Sequence, residues 1–551
     1  MPELLHPGVY VQEVPAAVKP IEGVSTSTAA FVGVADKGPI PGTTLPNGRP
    51  ARAFMVTSFT EYTRNFGGFR LDSYLTYAVR GFFDNGGRRL YIIRVAPSDV
   101  ATATVNMAAS PVDPASTLAI SASSPGAWGA QLWVQVAPAS DGDGTHFRLA
   151  VMQGATLADA SANVVESFDN LTFRSANAND PLPVNYVRNV VNSRSEFIAV
   201  TGNITARPGD SGPTRLAVPA GSANGGDGTL PLAASAYTGQ PAATSTVSGT
   251  GMRALDKVTD VNILAMPGQG DVAAINAAMA YCKNTRALQD CFFIGDIGEL
   301  DPLASRDEGA QPSFAATVAD ARDFILTGHG GTLDKSAGDY GALYYPWIRS
   351  TDPIGVGRNP LILLPPSGHV AGLYARIDNS RGVFKAPAGT EAGVAGALSA
   401  ATIVGDTDQD RLNPINLNVI RVVPTSGIVV WGARTIGSDP GWRYVPVRRM
   451  AIFLRTSIYY GIQWAVFEPN DAPLWSSLRL NIRAFMLTQF RAGAFQGSKP
   501  DDAFFVICDA TTTTQQDIDN GVVNILVGFA PLKPAEFVVL KLSQKVNQTP
   551  A

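Results

Sequence analysis

The sequence predicts a multidomain chain of the α/β class (α+β overall). A parallel-sheet α/β domain carries a β-rich insertion and is followed by a C-terminal α+β domain. Three observations lead there. Strands alternate with helices over residues 23–97 and again over 253–360, the pattern of a parallel sheet covered on both faces. That rhythm breaks between 98 and 252, where short alternating runs sit among Asp, Gly, Asn and Ser turns. Beyond residue 443, two long amphipathic helical patterns precede three apolar strands.

In the α/β part, Thr28 to Ala35 is an apolar strand. Ser58 opens a helix through Phe66, with Glu61 at capping-box spacing. Ser73 to Asn85 is a second helix, stopped by Asn85-Gly86-Gly87. Arg89 to Ala96 is nearly continuous in apolar residues, as a strand buried on both faces requires. The pattern resumes with a strand at Val261–Met266, a helix at Val272–Lys283 with Ile275, Met279 and Cys282 on one face, and a strand at Asp290–Asp296. A helix over Ser313–Thr327 and a strand over Ala342–Ile348 follow. The runs LWVQVAP, FRLAVMQ and EFIAVTG supply the insertion's strands, and the Ala/Gly/Ser/Thr stretch Ala217–Gly251 reads as a surface excursion.

The C-terminal part begins with a helix from Val447 to Gly461, on which Met450, Phe453, Leu454 and Ile458 recur at helical spacing. A second runs from Pro473 to Gly493, with Leu478, Ile482, Phe485 and Gln489 on one face. WAVFEP between them reads as a strand closed by Pro469. AFFVICD, VVNILVGFAP and EFVVLKL are β-branched and aromatic, hence strands. The last, Glu536 to Leu542, must pair with its own sheet or a neighbour's, because an open apolar edge invites aggregation. At the other end, Gly8 to Val14 alternates as a short strand framed by Pro7 and Pro15. It is either a free tail or a strand donated to another subunit.

The composition excludes several classes. With 42 basic against 46 acidic residues the net charge is −4, which argues against nucleic acid as the main partner. No apolar run approaches the ~20 residues that cross a bilayer, and Pro2 and Glu3 stand where a signal peptide carries positive charge. Cys282, Cys291 and Cys508 lack metal-ligand spacing and read as reduced, buried thiols. His6, His146, His329 and His369 are scattered. Asp406, Asp408 and Asp410 alternate like calcium ligands, yet Arg411 occupies the glycine position and Leu417 that of the closing glutamate. A solvated turn or an inter-subunit ion pair is expected there. Pro267-Gly268-Gln269-Gly270 after a strand lacks both the third glycine and a Lys-Ser/Thr pair. No catalytic, cofactor-binding or metal residue is therefore assigned, and no enzyme activity is expected. Charge is nevertheless uneven: Arg443–Phe495 holds seven arginines (443, 448, 449, 455, 479, 483 and 491) against Glu468 and Asp471, a local +5. These are a solvated face, internal ion pairs, or a surface that meets an acidic protein.

Several stretches carry a resemblance. VRRMAIFLRTSIYYGIQWAVFEPNDAPLW, DAFFVICDATTTTQQDIDNG, VGFAPLKPAEFVV, GHVAGLYARIDNSRGVFKAPAG, LNPINLNVIR and GIVVWGARTIG resemble the contractile tail sheath proteins of myophages and phage-like contractile injection systems. HPGVYVQEV and STAAFVGVADKGP resemble that family's opening. The resemblance implies a subunit that assembles in many copies around an inner tube, made in the bacterial cytoplasm and built into a phage tail or tail-like particle. Baseplate and terminal cap proteins would be further partners, with no nucleic acid and no direct membrane insertion. It implies inter-subunit strand exchange through Val9, Tyr10, Val11 and Glu13 at one end and Phe537, Val538, Val539 and Leu540 at the other. Arg479, Arg483 and Arg491 become candidates for the face toward the inner tube. The expected division is a linking arm over 1–22, an α/β domain over 23–97 plus 253–360, and an outward-facing insertion over 98–252. An inner α+β domain over 361–530 and a linking strand over 531–551 complete it. The rival readings are a filament or shell protein that never contracts and, less favoured by the residues, an α/β nucleotide-binding enzyme.

Overall fold

Runs of Ala, Val, Ile, Leu and Phe with no room for a polar face dictate the central element, because such strands are stable only when buried on both sides. In the computed structural model, which describes residues 19–108, 117–174, 181–202, 204–355 and 360–537, they form an eight-stranded sheet. From edge to edge its strands are Gly427–Val430, Asn418–Val423, Gly341–Tyr345, Phe292–Asp296, Ile263–Ala265, Thr28–Gly33, Arg89–Arg94 and Phe54–Val56. The six inner strands run parallel and only the two outermost are antiparallel. Ala29 lies opposite Leu90 on one side and Ile263 on the other. Strands from before and after the insertion therefore share one sheet, and the direction of winding reverses at Thr28–Gly33.

The predicted helices cover it with small shifts in boundary. Phe59–Phe66 is capped by Ser58, whose side chain accepts from Glu61 N; the Glu61 carboxylate turns back to Thr57 N at 2.8 Å. The helix expected from Ser313 begins only at Val318, where Thr317 and Asp320 form a complete capping box. The expected strand Ala342–Ile348 is split: Gly341–Tyr345 stays in the large sheet, while Ile348–Thr351 pairs with Leu361–Leu364 in another. Leu75–Asp84 packs against Ser367–Arg381 at very short range. A Cβ at Gly372 would stand 2.3 Å from Phe82 O, and one at Gly81 would stand 2.5 Å from the His369 ring. His369 is buried, and that burial pushes its pKa down to about 4. The same helix is held at its start by Asp296, the last residue of its strand. The Asp296 carboxylate accepts from Ser367 N at 2.7 Å, Ser367 Oγ at 2.6 Å and Gly268 N at 3.2 Å. Burial without a cation raises that carboxyl to about 6.

The insertion has its own core. Leu132–Pro138, Phe147–Gln153, Val164–Leu171 and Thr214–Arg215 form one antiparallel sheet; Thr104–Ala108, Thr117–Ala122 and Ile198–Thr201 form another. Leu132, Val134 and Val136 point inward at period two, against Phe147, Leu149 and Val151. Its neck is closed by polar clasps. Ala101 N donates to Gly226 O at 2.9 Å, and Asp99 accepts from Thr229 N and Oγ1 at 3.0 and 2.7 Å. Buried Arg94 donates to the carbonyls of Ala35, Gly38, Pro125 and Asp36, while Arg70 meets Asp36, Asp72 and Asp227. A second buried cluster joins Arg306 to Asp352 at 2.7 Å and to Tyr77 Oη at 2.8 Å. Removing one partner from such a pair leaves a charge in a place that cannot solvate it.

The chain divides into two compact units, 26–381 with 386–445 and 1–25 with 382–385 and 446–551. The expected boundary at residue 361 falls inside the larger unit, because Asn418–Val423 and Gly427–Val430 extend its sheet. In the smaller unit, Met450, Leu454, Ile482, Phe485 and Met486 form a core under the strands Phe504–Ile507 and Leu526–Phe529. Pro473 lies in the first turn of the long helix Ala472–Arg491, which Asp471 caps through Leu474 N. WAVFEP is not a strand. Gln463–Ala465 is a 3₁₀ turn, and Phe467 beyond it is fully exposed at φ 70°. The run is apolar enough for a strand, but it spans the turn between two helices and Pro469 removes a donor.

Candidate assembly surfaces

The smaller unit presents a sheet of two strands, with Phe504 opposite Phe529 and Ile507 opposite Leu526. Phe504 and Val506 face the helices, whereas Phe505 and Leu526 face outward, about half exposed. Among the described residues no third strand joins this pair. Two strands alone are marginal in water, so this sheet draws its order from the helices beneath.

Just ahead of the strand Thr28–Gly33, the chain is strapped to the same helices. Lys19 N donates to Asn481 Oδ1 at 3.1 Å, and Lys19 Nζ stands 4.2 Å from the Trp464 ring centroid. Ile21 enters the core beside Gly461, where a Cβ would lie 2.6 Å from it; Gly23 gives way to the Phe453 ring. Val24 N donates to Ser457 Oγ at 3.1 Å. Sequence reasoning missed this strap. Its signals were faint: an isoleucine between Pro20 and Gly23, and a polar Asn481 on an otherwise apolar face between Leu478 and Ile482.

The predicted strand-exchange residues Val9, Tyr10, Val11, Glu13, Val538, Val539 and Leu540 lie outside the described residues, and Phe537, the last described, is 76% exposed. The arginines do not form one face of free charge. Arg448 and Arg449 are buried. Arg479 donates to Cys508 O at 3.1 Å, with Asp509 at 3.9 Å. Arg483 pairs with Asp501 at 2.7 Å and lies over Phe504. Arg491 sits in the last turn of its helix and makes no ion pair among the described residues. The Asp406–Asp410 run is a helix rather than a turn, Asp406–Leu412. Asp408 caps it at Gly405 N, and Asp406 reaches Arg421 of the same chain at 2.7 Å. Cys282, Cys291 and Cys508 are free and buried.

The larger unit holds a cavity of about 490 Å³ at the carboxyl ends of its parallel strands, beside Gly33 and Gly268. That is where open α/β sheets bind ligands. Asp72, Asp271, Glu299 and Asp301 line it, and among the described residues no lysine or arginine does. Burial, with Asp271 nearby, raises the Glu299 carboxyl. Such a lining repels phosphate.

Two family models match consecutive stretches: the phage tail sheath protein central domain over residues 333–436 and the phage tail sheath C-terminal domain over 437–545. Residues 333–545 are thus similar to phage tail sheath proteins through both matched domains. A prophage major tail sheath protein of Pseudomonas aeruginosa is 26% identical over 174 residues, which span 31% of this chain and 44% of that protein. Among solved structures, the sheath of the PVC extracellular contractile injection system in its contracted state is 21% identical. It superposes at a TM-score of 0.54 over 99% of both chains. The contracted helical sheath of the anti-feeding prophage gives 22% and 0.53 over 98% of this chain and 99% of that one. A sheath tail protein from Listeria innocua gives 12% and 0.55 over 94% and 97%. These likenesses establish that the sheath fold extends along nearly the whole chain.

Proposed function

We propose that this chain is the structural subunit of a contractile sheath, assembled helically around an inner tube and shortened to drive that tube through a target envelope. The observation that carries the reading is the pairing of the two tail sheath domains with a two-stranded sheet that the described chain leaves incomplete. Terminal segments of one subunit, Val9–Glu13 and Phe537–Leu540, would add strands to a neighbour's pair through main-chain hydrogen bonds. Such a contact is heterologous and does not close, so it propagates as a helix.

The mechanism needs no nucleotide. If the extended lattice is the higher in energy and is held kinetically, each subunit releases its difference as the lattice shortens. Linked strands then act as hinged tethers while the bodies rotate. Arg479, Arg483 and Arg491 are proposed to meet the inner tube. Arg479 and Arg483 already have partners in Asp509 and Asp501, so a tube contact exchanges one exposed ion pair for another. Exposed pairs are worth roughly 0.2–1 kcal/mol each, weak enough to let go together. Baseplate and cap proteins would bound the array, within a phage tail or tail-like particle assembled in the bacterial cytoplasm.

Electron microscopy of the assembled polypeptide tests the reading. Two helical lattices, one long and one short, are expected from the same chain; a single lattice under every condition would leave a static filament instead.

A further inference from the structure

Among the described residues, the buried side-chain donor atoms of the smaller unit without an acceptor include Asn481 Nδ2 and Trp464 Nε1. These two belong to the side chains that Lys19 touches. Asn481 is 1% exposed. Its orientation is fixed, because Lys19 N–H must face the amide oxygen and turning the amide over would oppose two donors. A buried donor without a partner is costly and calls for an explanation. Here the described chain begins on these very residues, with eighteen more ahead of it. A main chain leaving this spot brings carbonyl groups, and carbonyls are what both donors lack.

We propose that Asn481 and Trp464 form a clamp for the linking arm, residues 1–18. Main-chain carbonyls ahead of Lys19 fill the open donors when the arm is drawn into a neighbouring subunit. Asn481 then grips the backbone with both ends of its amide, reading no side chain, and the indole ring supports the Lys19 stem. Ile21, wedged against Gly461, and Val24, bonded to Ser457, stop the arm from paying out further. Tension between subunits thus enters the helices Val445–Gly461 and Ala472–Arg491. This inference rests on the strand-exchange reading above, and its test separates the two.

Amide hydrogen exchange is followed in the full-length chain, unassembled and assembled, alongside Asn481→Asp, Trp464→Phe and a chain lacking residues 1–15. Asn481→Asp keeps an acceptor for Lys19 N–H but puts an oxygen where the carbonyls need a donor; Trp464→Phe keeps a ring and removes only the indole N–H. In the natural chain, peptides over residues 14–24 are expected to gain protection on assembly. Asn481→Asp should lose roughly tenfold of that gain, the effect of about one hydrogen bond, and Trp464→Phe a similar or smaller part. If Asn481→Asp does not fold, Trp464→Phe decides alone. Protection that rises in both variants as in the natural chain overturns the clamp. Long sheaths from the shortened chain overturn strand exchange itself, whatever the two variants do.

Discussion

In the eight-stranded sheet, the outer strand Gly427–Val430 is covered: Val394 N donates to Ile428 O and Val430 N to Ala392 O, each at 3.0 Å. The opposite outer strand, Phe54–Val56, is only three residues long. The two-stranded sheet of the smaller unit has neither device. It shows half of Phe505 and Leu526 to solvent, and no described strand flanks it. Natural proteins usually blunt or bury strand edges because bare ones recruit other chains. One sheet here is finished by its own chain, and the other stands as two strands among the described residues. Stability and assembly should therefore respond to different residues.

The largest contrast comes from deleting residues 1–15. Linked sheaths should be lost in micrographs and by sedimentation, while the thermal midpoint of the subunit stays where it was, since Ile21 and Lys19 keep their places on the helices. A midpoint that falls with the deletion would mean the arm supports its own body. Asp352→Ala should do the reverse. It strands buried Arg306 and should cost about 3–5 kcal/mol in denaturant titration, leaving strand exchange intact in whatever fraction folds.

The pH dependence of the larger unit sharpens the comparison further. Asp296 titrates in the fold at about 6, above its ordinary 3.8. Its stabilising effect is therefore full below 3.8 and is lost as pH rises through 6. His369 titrates at about 4, below its ordinary 6.5. Its effect is full above 6.5 and is lost as pH falls through 4. Each shift is roughly two pH units, or about 3 kcal/mol, and the two oppose each other between pH 4 and 6. Asp296→Asn removes one side, so unfolding free energy should then drop steeply with acid across that window; a curve as flat as that of the natural chain would refute the pairing. The smallest effect belongs to reversing Arg479, Arg483 and Arg491. Stability should change by under about 1 kcal/mol per exposed pair, whereas co-assembly with the tube should fail. Undiminished co-assembly would remove these arginines from the tube face.

Much of the larger unit was legible because its signals are local. Ala29 to Val32 and Phe292 to Ile294 have no polar face, and Ser58 and Asn85 mark helix ends by their own chemistry. The strap of residues 19–24 was not legible, since what makes Ile21 a core residue is the absence of a side chain at Gly461, some 440 positions away. WAVFEP misled for a related reason: apolar content identifies a strand only when a partner strand exists. The arginine count left its alternatives open, internal ion pairs among them, because a sum over sequence cannot separate buried Arg448 and Arg449 from exposed Arg483, which pairs with Asp501.

The closed neck of the insertion has a practical meaning. Asp99 and Thr229 bring departure and return together, and the excursion between them folds around a core of its own. An unrelated domain whose termini lie equally close could be grafted at that junction, provided it also offers acceptors for Arg94 and Arg70, which here hold Pro125 O and Asp227. Each such chimaera would carry one guest domain per chain in place of the insertion.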